Sequence, residues 1–108
     1  MKAVRVQDGD YIDYTPGSAV AAGDVIASGT GVGIATRDIP ANTLGALSVS
    51  GVYDITKKAG DTPAFLANVY WDDTNKYATT TATSNTLLGK AAKAALAGDE
   101  TVRVRLLQ

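Results

Sequence analysis

The 108-residue chain has neither cysteine nor histidine. Their absence removes disulfides, thiol nucleophiles, Cys/His zinc sites and imidazole acid–base chemistry together. Lack of cysteine fits synthesis in a reducing cytoplasm. Charge of one sign is also lacking. The net charge is −1, so no basic balance points to nucleic acid. No apolar run reaches the roughly 18 residues of a membrane-spanning helix. Met1-Lys2-Ala3-Val4-Arg5 lacks the apolar stretch of a signal peptide. Aromatics are scarce, with one Trp and one Phe.

What is plentiful is small. Ala, Gly, Thr and Val dominate, and eleven glycines without a collagen-like period imply many tight turns. The expectation is one all-β domain over 1–108, a small β-barrel or β-sandwich of short, mostly antiparallel strands. A domain of this size buries only a small core.

The stretch from Asn68 to Gly89 concentrates the large apolar groups. Val69-Tyr70-Trp71, the polar Asp72-Asp73-Thr74-Asn75-Lys76 and Tyr77-Ala78-Thr79 read as a hairpin, with arms over 64–71 and 76–80. Trp71 and Tyr77 are expected to meet across it. A buried aromatic removes roughly 150–250 Å² from water, an upper bound of roughly 4–6 kcal/mol per ring. Thr81 to Thr86 reads as a polar surface loop.

Elsewhere, alternation predicts strands at Lys2–Val6, Tyr11–Thr15, Val25–Ala27 and Gly31–Ala35, and a short extended piece at Val20–Ala22. Asp8-Gly9-Asp10, Pro16-Gly17 and Ser28-Gly29-Thr30 mark turns, and Arg37–Asn42 a loop. Leu44–Thr56 is the longest strand candidate, with Leu47, Val49, Tyr53 and Ile55 on one parity. Leu87–Leu96 reads as a strand, with a short helix near 89–97 as the alternative, since its Ala and Lys content favours one. Thr101–Leu107 is clear: Val102, Val104 and Leu106 face in, Arg103 and Arg105 out. Ala-Gly-Asp recurs at 22–24, 59–61 and 97–99, each time as a turn expected to precede a strand.

No motif carries chemistry. Asp72-Asp73 with Asn75 lacks the remaining ligands and terminal Glu of a calcium loop, and Asp8-Gly9-Asp10 is likewise a turn. Gly29, Gly31 and Gly33 match a dinucleotide fingerprint only in count. Gly89-Lys90 has Ser84 where a phosphate loop needs Gly, and Ala91 where it needs Ser or Thr. A hydroxyl nucleophile would need Lys or a carboxylate as its base, and no such pair stands out. Catalytic, cofactor-binding and metal residues are therefore assigned as none. Arg103 and Arg105, with Arg5, form a modest basic strip, read either as a contact for an acidic partner or as the solvated face of a strand.

Several segments together resemble a family of small tailed-phage and prophage proteins regarded as capsid decoration, or head cement, proteins. They are Gly51-Val52-Tyr53-Asp54-Ile55-Thr56-Lys57, Ala59-Gly60-Asp61, Val69-Tyr70-Trp71-Asp72-Asp73, Thr79-Thr80-Thr81-Ala82-Thr83, Leu87-Leu88-Gly89-Lys90-Ala91 and Ala97-Gly98-Asp99-Glu100-Thr101-Val102-Arg103-Val104-Arg105-Leu106. With Gly23-Asp24-Val25 the resemblance covers nearly the whole chain. Met1–Asp8 matches less distinctively and reads as an N-terminal arm. The RecA/RadA-like recombinase label often given to such proteins conflicts with the missing phosphate loop.

The resemblance implies a β-barrel-like protein made in the host bacterium and carried on the virion. There it would bind the major capsid protein on the outside of an icosahedral head, as a homotrimer at three-fold or quasi-three-fold positions. It implies no enzyme activity, cofactor, membrane or specific nucleic-acid partner. Val52 and Tyr70, of off parity, would fill either the trimer interface or the core. From the residues alone, a non-catalytic glycan-binding or tail-associated β module stands level with the capsid reading, and a DNA recombination factor behind both.

Overall fold

The computed structural model describes residues 2–4 and 9–108. Nine strands form among the described residues: β1 (Tyr11–Tyr14), β2 (Val25–Ser28), β3 (Gly31–Ala35), β4 (Gly45–Ser48), β5 (Val52–Thr56), β6 (Asn68–Asp72), β7 (Tyr77–Thr79), β8 (Thr86–Ala91) and β9 (Thr101–Leu106). They make a four-stranded sheet, β1-β4-β3-β2, and a five-stranded sheet, β5-β9-β8-β6-β7, with antiparallel pairing throughout. The fold is all-β and sandwich-like. The barrel expectation is corrected: the edges β5 and β7 meet only at the parallel bridge Lys57–Ala78, which closes no ladder.

One cluster joins the layers. Val32 and Ile34 of β3 pack with Ile55, Val69, Trp71, Ala78, Leu88, Val102, Val104 and Leu106 of the five-stranded sheet. A smaller cluster of Val20, Ala35, Ile39 and Leu47 lies on the opposite face of β3 and β4. The period-2 reading of β9 holds fully, with Val102, Val104 and Leu106 buried and Arg103 and Arg105 exposed.

Turn chemistry punctuates the strands. In all three Ala-Gly-Asp turns the Asp amide donates to the carbonyl three residues back, Ala21, Lys58 or Leu96, at 3.1, 3.3 and 3.0 Å. At Asp24 and Asp99 the carboxylate also accepts the amide of Ala21 or Leu96, at 3.0 and 2.8 Å. Asp61 instead sends its carboxylate to the Thr79 hydroxyl and the Thr80 amide, at 2.6 and 3.1 Å, tying its turn to β7. Asp24 and Asp99 lead into β2 and β9. Asp61 does not precede a strand, because residues 61–67 are irregular up to β6.

The other corrections have local causes. Leu44–Thr56 is two strands. Gly51, at φ 99, turns the chain out of the first sheet into the second, so Leu47 and Ile55 share a parity but lie in different clusters. No helix forms at 89–97 or anywhere among the described residues. Gly89–Ala91 continue β8, and Ala91 and Ala95 are buried in the core. Trp71 pairs with Ala78, and Tyr77 with Asp72, so Trp71 and Tyr77 point to opposite faces of the hairpin. Lys2–Val4 are not in a strand, while Met1, Arg5, Val6, Gln7 and Asp8 lie outside the described residues, so the expected first strand and most of the N-terminal arm are not described. Gly9-Asp10 does form a turn.

Trp71 is 6% exposed and Tyr77 is half-buried outside the core clusters. Trp71→Ala should therefore cost roughly 3–5 kcal/mol, and Tyr77→Ala clearly less, measured by urea denaturation; equal losses would contradict this packing. A Cβ at Gly89 would collide with the Arg105 carbonyl on β9. Gly89→Ala must move one strand, so its melting temperature should fall more than that of Gly98→Ala, whose added methyl meets nothing within 4 Å.

Candidate interaction surface

The turn carboxylates are spent within the fold. Asp72 accepts from the amides of Thr74 and Asn75, both at 3.0 Å, and from the Asn75 side chain at 2.9 Å. Asp73 accepts from the Trp71 indole N–H at 3.1 Å and from Lys76 at 2.8 Å. No group of three potential metal ligands occurs among the described residues. The hydrogen bond from the Asn75 side chain, with its amide, holds the Asp72 carboxyl below its ordinary value. Lys76 and then Trp71 do the same for Asp73. Burial pushes Asp61 up, but the Thr79 and Thr80 bonds with Lys58 and Lys57 carry it below 3.8.

The glycine candidates are structural. Gly29, at φ 59, makes the β2–β3 turn. Gly31 and Gly33 lie within β3, where a Cβ on Gly33 would come 2.8 Å from that of Leu47. Gly89 and Lys90 are inside β8.

A cleft of about 540 Å³ opens between β2 and the β5–β6 side, lined by Asp24, Val25, Tyr53, Trp71 and Lys76 among others. Trp71 presents 6% of its surface and its N–H is engaged, so its ring offers no open platform for a sugar.

The arginine strip splits. Arg103 is bound by Asp54, with Nε to Oδ1 at 3.0 Å and a terminal nitrogen to Oδ2 at 3.3 Å. This lowers the Asp54 pKa and raises that of Arg103. Arg5 is outside the described residues. Arg105 instead stands directly across from Lys90 on β8, with Val52 on its other side. Two like charges directly opposite destabilise a sheet, and neither makes an ion pair among the described residues. Val52 is 55% exposed, and Tyr70 alternates with the buried Val69 and Trp71. Val52 and Tyr70 thus lie on the outer face of the five-stranded sheet, outside the core clusters. The alternation of β9 made Arg105 visible; Lys90 was missed because only the β8–β9 register places it there.

A second exposed region corrects two expected strands, since the arm read over 64–71 begins only at Asn68 and the strand read over Leu87–Leu96 ends at Ala91. Phe65, Leu66 and Leu96 are 63, 58 and 71% exposed. Their two loops are tied by Leu66 N–H to Ala91 O, Ala91 N–H to Ala67 O and Ala95 N–H to Pro63 O, at 2.8, 2.9 and 3.0 Å. Leu66 sits at φ 64, a left-handed conformation costing a non-glycine residue roughly 1–2 kcal/mol. The visible signal was Phe-Leu after Pro63 in an otherwise polar stretch.

A family model described as phage cement protein matches residues 6–106. The chain belongs to the phage cement protein family. No curated protein and no solved structure matches it. A cement protein is a structural phage protein associated with the capsid, so membership gives the chain a structural, capsid-stabilising role. The outer sheet face and the Phe65–Leu96 loops, rather than a cleft with reactive groups, are accordingly its candidate working surfaces.

Four carboxyls, on Asp54, Asp61, Asp72 and Asp73, are held below 3.8 in the fold. As pH falls, the unfolded chain takes up protons before the folded one does. Stability should be level above about pH 5 and fall below about pH 4 as the lowered folded values are crossed. Melting followed by circular dichroism from pH 2 to 8 checks this, and Asp61→Asn should flatten the acid limb.

Proposed function

We propose that the chain decorates the outside of an icosahedral phage head, binding the major capsid protein as a homotrimer and stiffening the shell. In this reading it is one domain, is made in the host bacterial cytoplasm and acts only on the virion. The observation that carries it is the family match over residues 6–106. The surface is compatible: the turn carboxylates are internally bonded, and Phe65, Leu66 and Leu96 supply exposed apolar area of the kind a shell would cover. Affinity comes from many copies, each making a modest contact.

The test is made on particles. Purified heads should contain the protein at a fixed ratio to the major capsid protein, and heads lacking it should release DNA at lower temperature; its absence from purified heads sinks the proposal. Phe65→Ser with Leu96→Ser should lower shell occupancy at least tenfold while changing the melting temperature of the free protein little.

A further inference from the structure

Like charges face each other in the middle of the five-stranded sheet. Lys90 of β8 and Arg105 of β9 are register partners, and Val52 of β5 and Asn68 of β6 extend the same row on either side. Arg105 and Asn68 are exposed and Lys90 is half-buried. Neither cation makes an ion pair or a side-chain hydrogen bond among the described residues. From Gly51 onward the chain carries six carboxylates beside seven cations, so this half is not basic as a whole. Compensation fails locally instead. Asp54 is bound to Arg103, and Asp61, Asp72, Asp73 and Asp99 accept hydrogen bonds elsewhere. Glu100 precedes β9 at the end away from Arg105, roughly 17 Å along the strand.

Facing cations destabilise a sheet. A lysine on an edge strand guards against pairing with other chains, but β8 and β9 are interior strands with a neighbour on each side. The pair therefore protects no edge. A local conflict of this kind belongs where a partner resolves it. A guanidinium and an ammonium side by side are donors that carboxylates accept. Two cations in an otherwise balanced half suit one or two carboxylates. The repeated phosphates of a nucleic acid call for a basic face. Apolar area adjoins the pair on both sides. Val52, beside Arg105, is 55% exposed. The loop carrying the exposed Phe65 and Leu66 is hydrogen-bonded to Ala91, next in the chain to Lys90, and it enters β6 at Asn68, the register partner of Lys90.

We propose that Lys90 and Arg105 receive a carboxylate-bearing segment of the major capsid protein, with Val52 and the Phe65–Leu66 loop as apolar borders of the same contact. This rests on the capsid reading above and names the chemistry of the partner surface: acidic, with apolar residues beside the acid. The cations lower the stability of the free chain and strengthen the bound one.

The test sets shell binding against the stability of the free full chain. Lys90→Glu places an opposite charge beside Arg105, so the free chain should melt about 2–5 °C higher by circular dichroism. The same variant should bind undecorated shells at least about tenfold more weakly in co-sedimentation, as should Lys90→Gln with Arg105→Gln. Wild-type binding should weaken as salt is raised from about 0.05 to 0.5 M, and binding of the Gln pair should hold level. Arg37→Glu, the same change in net charge on the loop after β3, should leave shell binding unchanged. If the wild-type chain binds shells and both Lys90 variants bind as tightly, the inference is overturned and the capsid reading stands. A Lys90→Glu chain that melts lower than wild type also overturns it, because the facing cations are then not in conflict. A wild-type chain that binds no shell overturns the capsid reading, and this contact with it. Duplex DNA is the remaining arm: a gel shift by the wild type that the Gln pair loses assigns the cations to phosphate and overturns the acidic protein partner.

Discussion

The fold depends on the joint where β3 meets the five-stranded sheet. Alone, each sheet would leave one apolar face in water. Val32 and Ile34 on one side, with Leu88, Val104 and Leu106 on the other, make the two faces a single core. Gln108 pins the joint from outside that core: its Oε1 accepts the Val32 amide at 2.8 Å, and its Nε2 donates to Leu87 and Leu88 carbonyls at 3.0 and 2.8 Å. One side chain at the end of the chain thus holds a strand of each sheet. Gly89 answers to the same constraint, since β8 must approach the β9 backbone closely while carrying Leu88 into the core.

At the far side of the five-stranded sheet a polar device does comparable work. Lys57 is 5% exposed, and its Nζ donates to the carbonyls of Lys58 and Asp61 at 3.0 and 2.7 Å. A buried ammonium is tolerated only when such acceptors replace water. Those acceptors belong to the Ala-Gly-Asp turn whose Asp61 carboxylate holds Thr79 and Thr80. The turn therefore gathers β5, where Lys57 leaves it, and β7, where Thr79 ends it. This is why the two edges touch without pairing as a ladder.

Much of the fold was legible where one rule acted alone. The uninterrupted alternation of Val102 to Leu106 named its buried side, and the hairpin turn over 73–76 was marked by its polar residues. Reading failed where a distant partner decided. Leu47, Val49, Tyr53 and Ile55 keep one parity across Gly51, so the pattern alone does not show that the chain changes sheet there. The Ala-rich 89–97 stretch has helical propensity, but Ala91 and Ala95 are wanted flat against a core, and tertiary packing outweighs tenths of a kcal/mol per residue. A one-residue difference in turn length decides whether Tyr77 or Ala78 faces Trp71. The working surfaces were least legible. Arg105 meets Lys90 only through register, and Phe65 and Leu66, read as part of a hairpin arm over 64–71, lie in the loop before β6 and are exposed.

The division of labour among the charges explains why surface rather than cleft is the functional part. Asp61, Asp72 and Asp73 accept bonds from amides, hydroxyls and an indole, and Asp54 and Arg103 neutralise each other. These bonds fix turns and cost the surface its spare charge. Arg105 and Lys90, facing each other on the outer side of the five-stranded sheet, make no ion pair among the described residues. In the proposed role on a shell, modest contacts suffice, because the number of copies multiplies them.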